Sequence, residues 1–170
     1  MVVELFGADE QTDRPVDLDR WLELARQVLA ARGITNDAEL SLLFVDEPAI
    51  AALNEQFLFK TGPTDVLSFP IEDDLDTTGR NPDHGGSGPG TEALAEETLL
   101  LGDVVICPAV AARNAAAHGL SEDDETALLV VHGILHLLGH DHEVEAEAEA
   151  MEALEDELLR RHHRPGWRRD

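Results

Sequence analysis

Cysteine occurs once in these 170 residues, at Cys107. No internal disulfide can form, which suits a reducing compartment and leaves the core to hold the fold. Its place in the strand-like run GDVVIC marks it as a small buried hydrophobe rather than a reactive thiol. Lysine is as scarce: Lys60 is the only one, and 12 basic residues face 36 acidic ones for a net charge of −24. Taken alone, that balance argues against a nucleic-acid binder, because phosphate attraction needs clustered Lys and Arg. No apolar run approaches the roughly 18 to 20 residues that cross a bilayer. The opening stretch MVVELFGADE has neither the basic nor the apolar region of a secretory signal. The expectation is a soluble, cytoplasmic protein with no membrane partner, long enough to form one domain over residues 1–170.

Strand-like and helical stretches alternate. VVELFG, AELSLLFVD and TLLLGDVVICP read as strands, and PTDVLSFP, fenced by Pro63 and Pro70, as a strand at a sheet edge. Leu18, Trp21, Leu22, Ala25, Val28 and Leu29 recur at helical spacing ahead of a stop at Gly33. EPAIAALNEQF and AVAARNAAAHG are further helices, and Ser121 caps a third beginning at SEDDETALL. In EVEAEAEAMEALEDELLRR the residues Val144, Ala148, Met151, Leu154 and Leu158 are expected to face inward and the glutamates to face water. Residues 73–97, rich in Gly, Asp and Glu, cannot bury enough surface to order themselves and are read as a flexible insertion in which His84 is solvated. Arg160, Arg161, Arg164, Arg168 and Arg169 give residues 160–170 the look of a basic C-terminal tail. A solvated segment balancing the acidic helix is its plainer reading. The fold class is α/β (α+β): a small mixed sheet covered by helices around one central, buried helix.

That helix carries the chemistry. HGILHLLGHDHE, residues 132–143, sets His132 and His136 four apart in an almost wholly apolar stretch. Four residues are one turn and about 40° of rotation, so the two rings can converge on one point. Gly139 permits a left-handed helix end, and the turn carries His142 back toward the same point. Three imidazoles on one side of an ion, with a position left open, describe a catalytic zinc site, one Zn2+ per chain. Water on such an ion ionises near neutral pH and can attack an acyl or phosphoryl centre. His140 competes for the third position but precedes the completed turn, so His142 is preferred. Asp141 is the candidate to orient a ligand imidazole from behind. His118, beside Gly119, has no comparable partner in sequence and reads as a helix-end residue facing water.

His132, His136, Gly139 and His142 reproduce the metzincin spacing except at Gly133, where those peptidases carry glutamate. The glutamate moves a proton to the departing amine, and glycine has nothing to move it with. The pattern therefore suits a phosphodiester, whose leaving alkoxide can be stabilised otherwise, better than an amide. Gly133 is also expected to leave room close to the metal for another chain or a substrate.

HGILHLLGHDH resembles the signature of the YbeY family, and LNEQF, PTDVLSFP and LGDVVIC match its further motifs in order. The resemblance spans residues from about 40 to 159, interrupted by the insertion. It implies a zincin-like fold with zinc on His132, His136 and His142. It also implies a single-strand-specific endoribonuclease acting in 16S rRNA 3′-end maturation and ribosome quality control, with the small ribosomal subunit, and a ribosomal or assembly protein, as partners. Many members have arginine where this chain has Leu58. Lys60 or Arg113 are the candidates to supply that charge, and Thr64, Asp65 and Ser68 the polar candidates to touch sugar or phosphate. Asp103 is expected to brace the sheet. A positive rim near the zinc, together with the arginine tail, is the expected docking surface for RNA. Two other readings stand: a metallopeptidase, and a weakly catalytic ribosome-assembly factor with a structural metal.

Overall fold

A computed structural model describes residues 3–34, 37–71, 99–140 and 144–169. The insertion at 73–97, with His84, and the segment holding Asp141 and His142 lie outside the described residues. Four strands, β1 (Val3–Asp9), β2 (Ala38–Phe44), β3 (Val66–Pro70) and β4 (Leu99–Ile106), form one sheet in the order β1-β2-β4-β3. The first three in that order run parallel, and β3 pairs antiparallel to β4 at the edge, as its flanking prolines suggested. The helices are α1 (Leu18–Ala31), α2 (Glu47–Leu58), α3 (Pro108–His118), α4 (Glu122–Leu137) and α5 (Glu145–His162). None among the described residues is long and apolar enough to cross a membrane.

Alternation along the strands sends side chains to two cores. Leu40, Leu42 and Phe44 of β2 and Val104 and Ile106 of β4 meet α1, α4 and α5 on one face. Val105 and Leu67 turn the other way, onto Ile50 of α2 and Val110 of α3. Both faces are covered, which is why β4 reads as a continuous apolar run. Cys107 is fully buried in the second core, and burial pushes its thiol above the ordinary range. At Gly102 the register of β2 against β4 slips by one residue. A Cβ built there would lie 2.3 Å from the Phe69 carbonyl oxygen, so only glycine lets β3 close on β4.

α4 is the central helix, packed on α1, α3, α5 and the sheet. Ser121 caps it by accepting from the Asp124 N–H at 3.0 Å. Its first turn carries four consecutive carboxylates, Glu122 to Glu125, which suits the positive end of the helix dipole. Each also has its own basic partner: Arg14 for Glu122, Arg20 for Asp123, Arg164 and His163 for Asp124, His118 for Glu125.

The C-terminal end departs from the expected solvated tail. α5 continues to His162, and Trp167 is only 1% exposed. The Trp167 indole N–H donates to Asp156 at 3.1 Å, and the Arg164 guanidinium grips both oxygens of Asp124 at 2.9 and 2.7 Å. Packing of one large aromatic outweighs the solvation of the arginines around it. Two smaller expectations on α5 also fail. Val144, the residue before the first helical turn, is exposed. Glu155 is buried, because it lies on the Met151–Leu158 stripe rather than on the glutamate face.

The Arg164 and His163 hydrogen bonds pull the Asp124 carboxyl from 3.8 down to about 2. A depressed carboxylate contributes stability above its unfolded pKa and loses it as the pH falls through the folded one. Asp124→Asn is therefore expected to lower stability at pH 7 by roughly 2 kcal/mol. The same variant should show a smaller loss than the parent between pH 4 and pH 2. Urea unfolding across that range checks both signs.

Candidate active site

His132 and His136 come together as their spacing predicted. Their ring centroids are 4.7 Å apart and the planes nearly perpendicular, at 81°. α4 then ends at Leu137, capped by Leu138, and Gly139 takes φ 99°. No group of three His, Cys, Asp or Glu side chains is placed to hold a metal ion among the described residues. The histidine pair supplies two donors of the expected kind, and the third candidate, His142, lies outside those residues, as does Asp141.

The His132 ring is fixed from behind. Its Nδ1 lies 2.6 Å from Glu155 Oε2, on a carboxylate whose side chain is 3% exposed. The other oxygen of Glu155 accepts from Arg169 at 2.9 Å, and the same guanidinium nitrogen reaches Asp156 at 2.9 Å. A neutral imidazole donating Nδ1–H to a carboxylate presents Nε2 as its coordinating nitrogen. Asp141, the candidate the sequence offered, lies outside the described residues, and the carboxylate that orients His132 comes from α5. Its signal was available: a glutamate at the fourth place after Met151 and the third before Leu158 falls on a buried stripe.

Gly133 is pressed against the sheet. A Cβ there would lie 2.6 Å from Val104 Cγ1, and Ser68 Oγ donates to the Gly133 carbonyl at 3.1 Å. The room expected beside the metal is taken by β4, because residue 133 turns toward the sheet while His132 turns away. A glutamate at this place would require the sheet to move.

Two cavities meet at His132. One, of about 360 Å³, is lined by Leu58, Asp65, Val66, Leu67, Ser68, Pro70, His132 and His136. The edge strand β3 therefore walls the histidine cleft, with Asp65 and Ser68 in its lining. No lysine or arginine is among the described residues that line it. The other cavity, of about 390 Å³, holds Asp65, His118, Glu125, Glu155 and Arg169 around the far side of His132. Asp65 faces both, its Oδ2 accepting from Asn114 at 3.0 Å and its Oδ1 lying 3.5 Å from Thr64 Oγ1. His118 was read as a partnerless surface residue, but its Nδ1 meets the buried Glu125 at 3.0 Å. Lys60 is exposed beyond the end of α2 and lines neither cavity. Arg113 also lines neither, and is committed to Glu47 at 2.7 and 3.2 Å. That pairing holds the Glu47 carboxyl below its usual range. Among the described residues, Arg169 is the one Lys or Arg lining either cavity, and it is held by Glu155 and Asp156, so the expected positive rim is reduced to a single paired arginine.

The family model for the endoribonuclease YbeY matches residues 7–163. The chain belongs to the endoribonuclease YbeY family. It is 44% identical over 155 residues to endoribonuclease YbeY of Thermobifida fusca, covering 91% of this chain and 88% of that one. It is 46% identical over 145 residues to the same protein of Salinispora tropica, covering 85% and 87%. The solution structure of TM1509 from Thermotoga maritima superposes with a TM-score of 0.54 at 23% identity, over 98% of this chain and 100% of that one. At that identity the superposition speaks for the fold alone. Of the segments that resemble YbeY motifs, PTDVLSFP and HGILHLLGHDH both supply residues to the histidine cleft.

The Gly133 contact has a measurable consequence. Alanine in a helix interior is ordinarily better than glycine by about 1 kcal/mol. Here the added methyl meets Val104, a stiff β-branched side chain that cannot swing aside, and overpacking of this kind costs about 1–3 kcal/mol. Gly133→Ala is expected to destabilise the protein in chemical denaturation, and a gain in stability would contradict the packing described.

Proposed function

We propose that this protein is a zinc-dependent, single-strand-specific endoribonuclease that acts on ribosomal RNA in 16S 3′-end maturation and ribosome quality control. The observation that carries the reading is the His132–His136 pair, edge to face on α4, with His132 braced by Glu155 and opening into a cleft walled by the edge strand. Membership of the YbeY family supports the reaction class. His132, His136 and His142 would hold the zinc, one per chain, with Glu155 fixing the first of them. When bound, zinc supplies Lewis acidity toward a phosphoryl oxygen and toward water. The chain's own part is to fix the ligand rings, to exclude an acid–base glutamate at Gly133 and to lay the substrate along β3. Asp65 and Ser68 are the polar groups in the cleft that would meet sugar or phosphate, with Thr64 beside them. Lys60 and Arg113 would contribute only at a distance. The protein would work in the cytoplasm, on the small ribosomal subunit and with a ribosomal or assembly protein.

The absence of Lys and Arg from the described cleft lining favours a second reading, an assembly factor with slight catalysis and a structural metal. A metallopeptidase is disfavoured by Gly133, which has no proton to give and no space to gain one.

Labelled single-stranded RNA and a peptide mixture, each incubated with zinc-loaded protein and with His136→Ala, separate the three. RNA cutting reduced at least about 100-fold in the variant is expected, with peptides intact. Peptide cleavage would establish the protease instead, and inertness toward both the assembly factor.

Glu155 and Arg169 predict a second result. Loss of a carboxylate behind a ligand imidazole weakens metal affinity about 10- to 100-fold. Glu155→Gln, and to a lesser degree Arg169→Ala, should lose zinc to a chromogenic chelator sooner than the parent. Arg168→Ala, at the exposed neighbour, should not.

A further inference from the structure

The end of α2 bears two features that work against the stability of the fold. Phe59 takes a left-handed conformation, φ 57° and ψ 33°, alone among the described non-glycine residues. Helices ordinarily place glycine there, because a Cβ in that conformation crowds the next carbonyl oxygen. Phe59 also leaves 88% of its surface in water, with Phe57 and Leu58 beside it 51% and 46% exposed. The chain has only five phenylalanines and two tryptophans, so this is a costly place to spend two of them. Bulky residues held in strained, exposed positions cluster at functional sites.

The segment is continuous with the histidine cleft. Leu58 lines the cleft together with His132 and His136. Phe57 packs edge-on against Phe69 of β3, with centroids 5.3 Å apart, on the strand whose neighbouring residues line the cleft. A strand of RNA approaching these histidines therefore meets apolar and aromatic surface, on a protein of net charge −24. Among the described residues, no lysine or arginine lines the cleft to hold it. Every unpaired base, however, has a π-face that stacks on an aromatic ring whatever the base's identity.

We infer that Phe59, with Leu58 beside it, is a stacking platform for one unpaired nucleobase of the RNA strand whose backbone enters the histidine cleft. The inference rests on the endoribonuclease reading and adds to it a source of single-strand preference: a base inside a duplex offers no face to Phe59. It also gives an acidic protein a grip on RNA with a shallow salt dependence, since stacking releases no counterions.

Phe59→Gly tests this without threatening the fold, because glycine relieves the left-handed strain and the lost side chain is almost wholly solvated. The variant should melt no lower than the parent. Its KM for labelled single-stranded RNA should rise about tenfold, the size expected for one stacked base, with kcat within twofold. Phe59→Trp should restore the KM, and Phe6→Ala, at an exposed phenylalanine on β1, should leave it unchanged. A set of substrates each lacking one base should include one position where the parent loses the same tenfold and Phe59→Gly loses nothing further. An unchanged KM in Phe59→Gly overturns the platform, as does additive loss at every abasic position. Unaltered RNA cleavage with altered self-association or altered capture of a ribosomal protein also overturns it, by assigning the surface to a protein. A parent enzyme that cuts no RNA sinks the endoribonuclease reading first, whereas RNA cleavage unaffected by Phe59→Gly sinks the platform alone.

Discussion

The close contact between Gly133 and Val104 sets the depth at which α4 lies on the sheet. A helix covering a sheet is ordinarily held off it by side chains from both surfaces. Here one of those side chains is missing, so the Gly133 backbone reaches the edge strand and its carbonyl accepts from Ser68 Oγ. One residue earlier, His132 turns toward the cleft, and one turn later His136 follows it. The glycine, the strand serine and the two histidines are a single geometric solution. It also disposes of the peptidase comparison. The place that holds a proton-transferring glutamate in a metzincin is here an interface with β4, so the spacing of the ligands carries over while the acid–base group does not.

Charge is handled locally rather than globally. With three times as many acidic as basic residues, this protein places many of its cations where carboxylates would otherwise be stranded. Arg14, Arg20 and Arg164 come from separate parts of the chain to the first turn of α4. Arg113 is held by Glu47 and Arg169 by Glu155 and Asp156. The exposed pairs among these add little stability each. None of these five lines the cleft at His132 and His136, where among the described residues recognition of a polyanion draws on groups other than Lys and Arg.

Periodicity made most of the fold legible. Alternation in AELSLLFVD and the apolar stripe of α1 depend only on local geometry, and Gly33, Gly119 and Gly139 mark helix ends through the positive φ they adopt. The His132–His136 convergence was legible for the same reason, since both lie on one helix. What escaped was set by tertiary contacts between residues far apart in sequence. Glu155 stands among water-facing glutamates in the sequence, although its own position is on the buried stripe. The arginine-rich end was read by composition, which hid the one residue that decides its state, Trp167. His118 has its partner seven residues on, across a turn, where neither helix periodicity nor strand alternation reaches. Strand order and the closeness of β3 to β4 at Gly102 depend on pairing that no local pattern encodes.

The same contacts explain why a buried carboxylate is tolerable beside the candidate ligand. Glu155 is almost wholly removed from water, and a carboxylate in that position is strongly unfavourable unless both oxygens are met. They are met from opposite sides, by His132 and by Arg169. Arg169 can reach it because Trp167 is buried and its indole fastens to Asp156, one residue along α5. The segment from Trp167 to Arg169 therefore completes the support of a ring on the central helix. Removing His132 or Arg169 takes the partner from one Glu155 oxygen, so the C-terminal end and the histidine cleft form one polar network although 37 positions separate His132 from Arg169 in the sequence.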